Sequence, residues 1–238
     1  MIMKRPKTSM SKQKILIISD THLTRHFDNK KFEFLKNIIL DSDKVIINGD
    51  FWDSWFTNFD GFVNSKWNNL FPYLLEKKAV YVFGNHDLKE KNDKRVNLFS
   101  VASAESYDIG TTNETYHIEH GRKILESEND NFLIVYGKMM QIFEKIHFRI
   151  IFYLLNIFEI IGYKIFGKDI TRRSKFARNR NMILKNTTRS SWLLCGDTHC
   201  PEIDNIKKFA NSGCVMHGYG SYLTIDSKEV LLHAKKYS

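Results

Sequence analysis

Three short apolar runs toward the start of the chain each end in a cluster of polar residues. The runs cover residues 14–19, 44–48 and 79–83, and none of them alternates between apolar and polar positions. A continuous apolar run of this length is typical of a strand that is buried on both faces of a sheet. Residues 29–40 and 61–77 lie between the runs and carry apolar side chains at helical spacing. The pattern therefore predicts the order β-α-β-α-β.

The rest of the chain continues the strand pattern but is interrupted once. Residues 114–119 and 191–195 are further strand-like runs that precede polar clusters. Residues 206–234 have the pattern of several short antiparallel strands separated by glycine turns. Between these regions lies a segment of different character, about residues 130–188, which we interpret as an insertion.

The polar clusters at the strand ends are candidates for a metal site. Loops at the carboxyl ends of strands project side chains into a common crevice in open α/β sheets. Carboxylate, imidazole and amide groups are ligands for Mn, Fe or Zn, and a carboxylate can bridge two ions, which we expect of Asp50. The alternative is that these residues are helix caps, turn carboxylates and buried core histidines. The candidates are Asp20, His22, Asp50, Asn85, His86, Asp87, His120, Asp197 and His199.

Five short motifs that contain these residues resemble those of the calcineurin-like metallophosphoesterase family. The pattern of that family is D-x-H, G-D-x-x-D, G-N-H-[DE], a histidine before a glycine, and G-H-x-H. The resemblance implies a four-layer α/β/β/α sandwich of two mixed sheets with helices outside, plus a helical insertion. It also implies hydrolysis of a phosphoester or pyrophosphate bond by a hydroxide that bridges two metal ions. The matching segments are Asp20-Thr21-His22, Gly49 to Asp53, Gly84 to Asp87, His120-Gly121 and Gly196 to His199.

The same resemblance implies a role for each matching residue. His86 would stabilise the developing charge and protonate the leaving oxygen, with Asp87 orienting its ring, and Asp53 would accept a hydrogen bond from a ligand imidazole. The two ions would share one carboxylate. The first ion would be held by Asp20, His22, Asp50 and His199, and the second by Asp50, Asn85, His120 and Asp197.

Asp197 departs from the family pattern, which has a histidine at this position. Aspartate is a harder oxygen ligand than imidazole, so the substitution favours Mn or Mg over Zn. We therefore predict two divalent ions, with Mn preferred and Fe, Zn or Mg as alternatives. If the aspartate is too short to reach, the second ion is held weakly.

The formal net charge of +9 is concentrated in two segments. Residues 1–14 carry a local excess of +5 and residues 164–189 one of +8, so the remainder is mildly acidic. Such segments attract nucleic acid, anionic lipid or a phosphorylated substrate, unless they are only a solvated tail and a solvated helix face. We interpret residues 1–13 as a basic tail and residues 14–238 as one domain that carries the insertion.

Composition excludes several classes of protein. With 42% hydrophobic and 26% charged residues, the chain is neither disordered nor fibrous in type. Cys195, Cys200 and Cys214 are too few for a disulfide framework, which favours a reducing cytosol. The N-terminus lacks the apolar core of a signal peptide. The predicted location is the cytoplasm, with peripheral membrane association as an option.

The insertion contains a segment, residues 137–166, that would form a helix with one polar stripe and an otherwise apolar circumference. Its longest uncharged stretch, residues 150–158, is too short to cross a bilayer, which takes about 20 apolar residues. Three interpretations remain: core packing, a lid over a hydrophobic substrate pocket, or a helix in the membrane interface beside the basic segment. The predicted anionic-membrane contact spans about residues 137–189.

The stretch from Gly49 to Trp55 is similar to the G-D-x-F-E-x-W segment of the UDP-2,3-diacylglucosamine pyrophosphatase branch. That similarity implies a UDP-linked lipid or another apolar substrate, with Trp55 and Arg122 as candidate substrate contacts. His86, where that branch commonly has arginine, and the Gly121-Arg122 continuation after His120 depart from the branch.

The leading hypothesis is a metal-dependent phosphoesterase acting on a phosphorylated small molecule or a lipid-linked substrate. One alternative is a nuclease or cyclic-nucleotide phosphodiesterase that uses the basic segment to contact phosphates, although no RNA-binding motif supports nucleic acid as the partner. The other alternative is a metal-binding scaffold with impaired catalysis, for which Asp197 is the indication.

Overall fold

The computed structural model of the protein describes residues 13–110, 114–121, 161, 191–226 and 229–237. Four sequence predictions lie outside these ranges. They are the basic tail apart from Gln13, the insertion 130–188 apart from Ile161, the basic segment 164–189, and Arg122.

The described ranges form a succession of short strands and helices. The helices are α1 Asn29–Leu40, α2 Phe59–Val63 and α3 Phe71–Glu76, with 3-10 helices at Lys66–Leu70, Lys89–Lys91 and Lys94–Leu98. The strands are β1 Lys14–Ile18, β2 Lys44–Asn48, β3 Val80–Val82, β4 Ala102–Ala104, β5 Ser106–Gly110, β6 Thr115–Glu119, β7 Trp192–Cys195, β8 Glu202–Asp204, β9 Phe209–Asn211, β10 Val215–Met216, β11 Tyr219–Asp226 and β12 Glu229–Lys236.

The strands make two mixed sheets. The seven-stranded sheet has the order β10-β11-β1-β2-β3-β4, with β12 paired to β11, and its strands β1 to β4 are parallel. The five-stranded sheet has the order β5-β6-β7-β9-β8, in which β6, β7 and β9 are parallel. The α/β class with two mixed sheets is therefore confirmed.

Alternate side chains of β1 enter two different cores because successive residues of a strand point to opposite faces. Leu16 and Ile18 belong to the core that the seven-stranded sheet shares with α1, α2 and α3. Ile15 and Ile17 belong to the core between the two sheets. Both faces of β1 are buried, which explains its continuous apolar sequence.

The predicted helix over residues 61–77 is wrong in its continuity. The structure divides this region, together with Phe59 and Asp60, into α2, a 3-10 helix and α3. Ser65 accepts a hydrogen bond from the backbone N–H of Trp67 and starts the 3-10 helix. Pro72 lies in the first turn of α3, where its missing N–H costs no helical hydrogen bond. Helical spacing of apolar residues did not reveal these breaks.

The predicted antiparallel pattern of residues 206–234 is partly correct. β11 and β12 form an antiparallel hairpin, and β9 pairs antiparallel with β8. On its other side, however, β9 pairs in parallel with β7. Its carboxyl end therefore lies at the same edge of the five-stranded sheet as those of β6 and β7. This edge carries the candidate site.

Candidate metal centre

The loops that follow the strands have an unusual backbone conformation. Non-glycine residues rarely adopt positive φ, and when they do so the conformation commonly marks a functional site. Five of the predicted metal ligands have it. They are Asp20 with φ 51°, His22 with 44°, Asp50 with 52°, Asp197 with 62° and His199 with 51°.

Backbone hydrogen bonds join the first two of these loops. The N–H of Asp20 donates to the carbonyl of Gly49 at 3.1 Å, and the N–H of His22 donates to that of Asp50 at 2.9 Å. Between them, the hydroxyl of Thr21 donates to the carbonyl of Phe51 at 2.6 Å. The two loops therefore form a fixed frame for their side chains.

Two glycines allow side chains of the site to approach the backbone. A Cβ on Gly49 would lie 2.3 Å from Nδ1 of His120, and a Cβ on Gly84 would lie 2.2 Å from Oδ1 of Asp50. Both distances are far below van der Waals contact. The glycines of the G-D and G-N-H motifs are thus needed for close packing of the site.

The first group of candidate ligands consists of Asp20, His22 and His199, whose ligand atoms all lie within 4.8 Å of one another. Nε2 of His199 lies 3.2 Å from Oδ1 of Asp20 and 3.4 Å from Nε2 of His22. The Oδ1 atom of Asp20 is buried and accepts no hydrogen bond within the described part of the chain. A buried carboxylate oxygen that accepts no hydrogen bond fits a cation, which would replace its lost hydration.

The second group consists of Asp20, Asp50 and His120, whose ligand atoms also lie within 4.8 Å of one another. Nε2 of His120 lies 3.3 Å from Oδ2 of Asp50 and 3.0 Å from Oδ1 of Asn85. The carboxylate of Asp197 reaches this group, with Oδ1 3.8 Å from the same Nε2 atom. Since His22 Nε2 is 3.7 Å from Oδ2 of Asp50, Asp50 lies between the two groups, as a bridging ligand requires.

The tautomer of His120 is set by a backbone group. Its Nδ1 atom lies 2.8 Å from the carbonyl oxygen of Asn48, so Nδ1 carries the proton. This leaves Nε2 to act as a ligand, which is the usual way in which a second contact orients a metal-binding imidazole.

Asp53 contacts two imidazoles of the site at once. Its Oδ2 lies 3.3 Å from Nδ1 of His22, and its Oδ1 lies 3.1 Å from Nδ1 of His86. The first contact is the one predicted from the sequence. Burial would raise the pKa of Asp53, but the hydrogen bonds to the two histidines outweigh burial and lower it.

The predicted contact between Asp87 and the ring of His86 is wrong. Both oxygens of Asp87 accept hydrogen bonds from backbone N–H groups, those of Asp50 at 3.1 Å, Phe51 at 2.6 Å and Gly84 at 2.7 Å. Burial, together with the charge of Asp50, raises the pKa of Asp87 to about 6. Asp87 instead positions the backbone that carries Asp50, and Asp53 takes the role of orienting His86.

His86 lies at the edge of the cluster. Its Nε2 atom is 4.0 Å from Oδ2 of Asp50, and its ring lies 4.1 Å from that of Trp55, whose side chain is 44% exposed. Burial would lower the pKa of His86, but Asp50 and Asp53 raise it to about 9. Without a neighbouring cation, His86 is therefore protonated at neutral pH. His22, Asp50 and His86 form a third group within 4.8 Å, so the imidazole also lies within reach of an ion.

Charges in the site are mutually dependent. Burial opposes ionisation of Asp50 and of Asp20, but His120 and neighbouring histidines lower the pKa of both carboxyls. Burial would also lower the pKa of His120, and the charges of Asp50 and Asp20 raise it instead. Burial raises the pKa of Asp197 to about 6. Without a bound cation, the carboxylates thus favour protonation of His86 and His120, whereas burial and the charge of His86 lower the pKa of His22.

Several residues around the site were not predicted. Ser19 donates to Oδ2 of Asp20 and lies 2.7 Å from the hydroxyl of Ser212, which follows β9. Asn211 donates to the carbonyl of Gly196 at 2.6 Å. The Asn211-Ser212-Gly213 sequence at the end of β9 was an available signal. Ser19 had none beyond its position next to Asp20.

Clustered carboxylates, imidazoles and an amide at the carboxyl ends of the strands of an α/β fold are suited to binding metal ions. The sequence model of the calcineurin-like phosphoesterases matches residues 13–201. The chain belongs to the calcineurin-like phosphoesterase family.

Comparisons with other proteins add little beyond the family. No curated protein matches the sequence. Among solved structures, an archaeal phosphodiesterase is 16% identical, covering 93% of this chain and 99% of its own, with a TM-score of 0.47. The E. coli phosphoesterase Yfce is 12% identical, covering 94% and 100%, with a TM-score of 0.46. Vacuolar protein sorting 29 from Cryptosporidium parvum is 11% identical, covering 94% and 98%, with a TM-score of 0.43. These values are too low to carry information on substrate.

Proposed function

We propose that this protein hydrolyses a phosphoester or pyrophosphate bond with two divalent metal ions, of which Mn is preferred. The observation that supports this most directly is the position of Asp50, whose Oδ2 atom lies 3.7 Å from Nε2 of His22 and 3.3 Å from Nε2 of His120. One carboxylate between two imidazoles from different loops is the arrangement that a bridged pair of ions needs.

The donors divide into two sets that share this carboxylate. When bound, the two ions supply an activated water and neutralise the phosphoryl oxygens during in-line displacement. The chain supplies oxygen and nitrogen donors that suit Mn, Fe or Zn. The first set would be Asp20, His22, Asp50 and His199, and the second would be Asp50, Asn85, His120 and Asp197. Asp20 also lies within reach of the second ion, because its carboxylate groups with Asp50 and His120.

His86 would act as the proton donor. Asp53 holds its Nδ1 atom, so the proton on Nε2 is directed toward the side of Asp50. An imidazole fixed in this way can protonate the oxygen of the leaving group as the bond to phosphorus breaks. A bound cation would lower the pKa of His86 from about 9 and so make the proton easier to give up.

The proposed substrate carries an apolar or aromatic group near the reacting phosphate, as a UDP-linked lipid would. Support comes from Trp55, a half-exposed indole that lies against the ring of His86. An exposed aromatic surface next to a proposed general acid suits an apolar leaving group. No helix in the described ranges is long and apolar enough to cross a membrane. Contact with an anionic membrane surface remains part of the proposal.

The test combines metal analysis with a substrate panel. Purified protein dialysed against Mn should retain two ions for each chain and hydrolyse aryl phosphates, bis-aryl phosphates or UDP-linked sugars. The acylated UDP-glucosamine should be preferred over the unacylated one. Asp50→Asn should abolish turnover and the bridging of the two ions. Glu105→Gln, which also converts a carboxylate to an amide but at an exposed position, should have no effect. Metal-dependent turnover that survives in Asp50→Asn would remove the mechanism.

A further inference from the structure

A cleft opens directly beside the metal centre. Its volume of about 380 Å³ falls in the range of small-molecule sites, about 300 to 1,000 Å³. His22 and Asp53 line it on the side of the metal centre. A substrate whose reacting phosphate lies at the metal centre would therefore have this cleft beside it. The other lining residues of the cleft include three with basic nitrogen groups, Lys31, His26 and His217, and three aromatic ones, Phe56, Trp67 and Tyr237.

Lys31 is an unusual residue to find in such a wall. It lies on α1, its side chain is only 9% exposed, and its Nζ donates to the backbone carbonyl of Thr21. Within the described ranges it forms no salt bridge. Burial of its ammonium lowers the pKa of Lys31 to about 8. A buried cation without a directly paired anion is costly, and an anionic ligand would compensate that cost.

The two carboxylates that line the same cleft are already engaged. Asp28 caps α1, and its Oδ1 accepts from the N–H groups of Lys30 and Lys31. Asp53 is occupied by His22 and His86. Neither acid forms a salt bridge with Lys31, although the charges of both partly offset the effect of burial on its pKa.

Two further nitrogen-bearing side chains, His26 and His217, line the cleft together with Lys31. His217 lies in the turn between β10 and β11 and has a positive φ of 53°, so this side of the cleft comes from a part of the chain far from α1 in sequence. The cleft thus gathers potential hydrogen-bond donors from three separate elements.

We propose that this cleft is a subsite for a second phosphate group of the substrate, held by the ammonium of Lys31 with help from His217. The proposal rests on the proposed phosphoesterase function and makes it more specific: the natural substrate carries a further phosphate, joined to the reacting one by a short linker. Charge-assisted hydrogen bonds to phosphate are the strongest recognition that these side chains can offer.

A matched pair of substrates tests this directly. The 4-nitrophenyl ester of thymidine 5′-phosphate and the same ester with an added 3′-phosphate share their reacting bond and leaving group. In the wild-type protein with Mn, the 3′-phosphate should raise kcat/KM about tenfold. In Lys31→Met the ratio between the two substrates should fall to about one. Lys30→Met, which removes an exposed lysine from the same helix, should keep the wild-type ratio.

The outcomes separate this proposal from the proposed function. Hydrolysis of both esters at the same kcat/KM in the wild type would overturn the subsite while leaving the phosphoesterase intact. An equal loss on both esters in Lys31→Met, with the ratio preserved, would mean that Lys31 only supports the Thr21 loop. His217→Asn, whose side chain tolerates positive φ, gives a second variant and should lower the ratio.

A binding measurement keeps the proposal testable without turnover. Calorimetry should show thymidine 3′,5′-bisphosphate binding about tenfold more tightly than thymidine 5′-phosphate, and the difference should vanish in Lys31→Met. If neither these esters nor any substrate of the panel above is hydrolysed, the proposed function fails, and equal affinities for the two nucleotides would overturn the subsite as well.

Discussion

Oδ1 of Asp53 lies 3.1 Å from Nδ1 of His86. The other oxygen of the same carboxylate contacts a metal-ligand candidate, His22. A single acid therefore orients the proposed proton donor and one proposed ligand together. Loss of this acid should disturb metal binding and proton transfer at the same time.

Asp53→Asn should reduce both metal affinity and turnover by about 10- to 100-fold, the usual cost of removing a partner of a metal-binding imidazole. It should also move the basic limit of the pH–rate profile to lower pH, because His86 loses one of the two carboxylates that raise its pKa. Metal titration and pH–rate measurements would check this. A variant that binds metal normally and keeps the wild-type pH profile would show that the contact is not functional.

His86→Asn keeps a side-chain N–H near the position of Nδ1 but removes Nε2. We expect turnover of alkyl phosphoesters to fall by about 10² to 10⁴, the range for loss of a general acid. Esters of 4-nitrophenol should lose much less, because this leaving group needs little protonation. Steady-state rates across a leaving-group series measure the difference. The same loss for every ester would argue that His86 serves another purpose, such as binding an ion.

Gly84→Ala should damage the site by steric conflict. The new Cβ would lie 2.2 Å from Oδ1 of Asp50 and 2.5 Å from its backbone nitrogen, so the backbone must move. We expect a loss of about 1–3 kcal/mol in unfolding free energy, typical of overpacking, together with weaker metal binding. Urea denaturation checks the first effect. Gly110→Ala is the control, since its Cβ would meet nothing within 4 Å.

Metal binding should release protons and weaken as the pH falls. The pKa of His120 is raised well above its usual value in the metal-free site, so near neutral pH a metal ion must displace a proton to reach Nε2. Lower pH increases protonation of the metal-free site and therefore reduces apparent affinity. Calorimetry of Mn binding in buffers with different ionisation enthalpies counts the protons released. Enthalpies that do not depend on the buffer would contradict the expectation.

Asp197→His restores the residue that the family pattern has at this position. The backbone accepts the change, because His22 and His199 already adopt the same left-handed conformation. Exchanging a carboxylate for an imidazole should move the metal preference from Mn toward Zn. Elemental analysis after dialysis against an equimolar mixture of the two metals measures this. An unchanged metal ratio would mean that Asp197 is not a ligand.

The sequence predicted those parts of the fold well in which a residue pattern corresponds to a single kind of secondary structure. Continuous apolar runs predicted β1, β2 and β3 because both faces of these strands are buried. The strands β4 and β5 were not predicted. They are short, and Ile109 is their one buried residue, so they lack the apolar signal and depend on pairing with neighbours that the sequence does not identify.

The same limit applies to the site. Spacing and residue type predicted the polar clusters, and the family pattern indicated which of their residues bind metal. Neither could reveal that the carboxylate of Asp87 accepts hydrogen bonds from the backbone N–H groups of Asp50, Phe51 and Gly84. Lys31 was equally hidden, because a lysine near the start of an amphipathic helix is normally solvated. The structure shows that Lys31 is 9% exposed and that its Nζ donates to the carbonyl of Thr21.

Asn48 links the two sheets through the interior of the protein. Its Nδ2 donates to the carbonyls of Glu119 and Leu194 in the five-stranded sheet, while its own carbonyl accepts from Nδ1 of His120. Any sliding of one sheet across the other would therefore pull His120 away from Asp50. The relative position of the two sheets therefore sets the spacing of the two proposed ion positions. Substitutions in the core between the sheets should alter metal affinity even though they contact no proposed ligand.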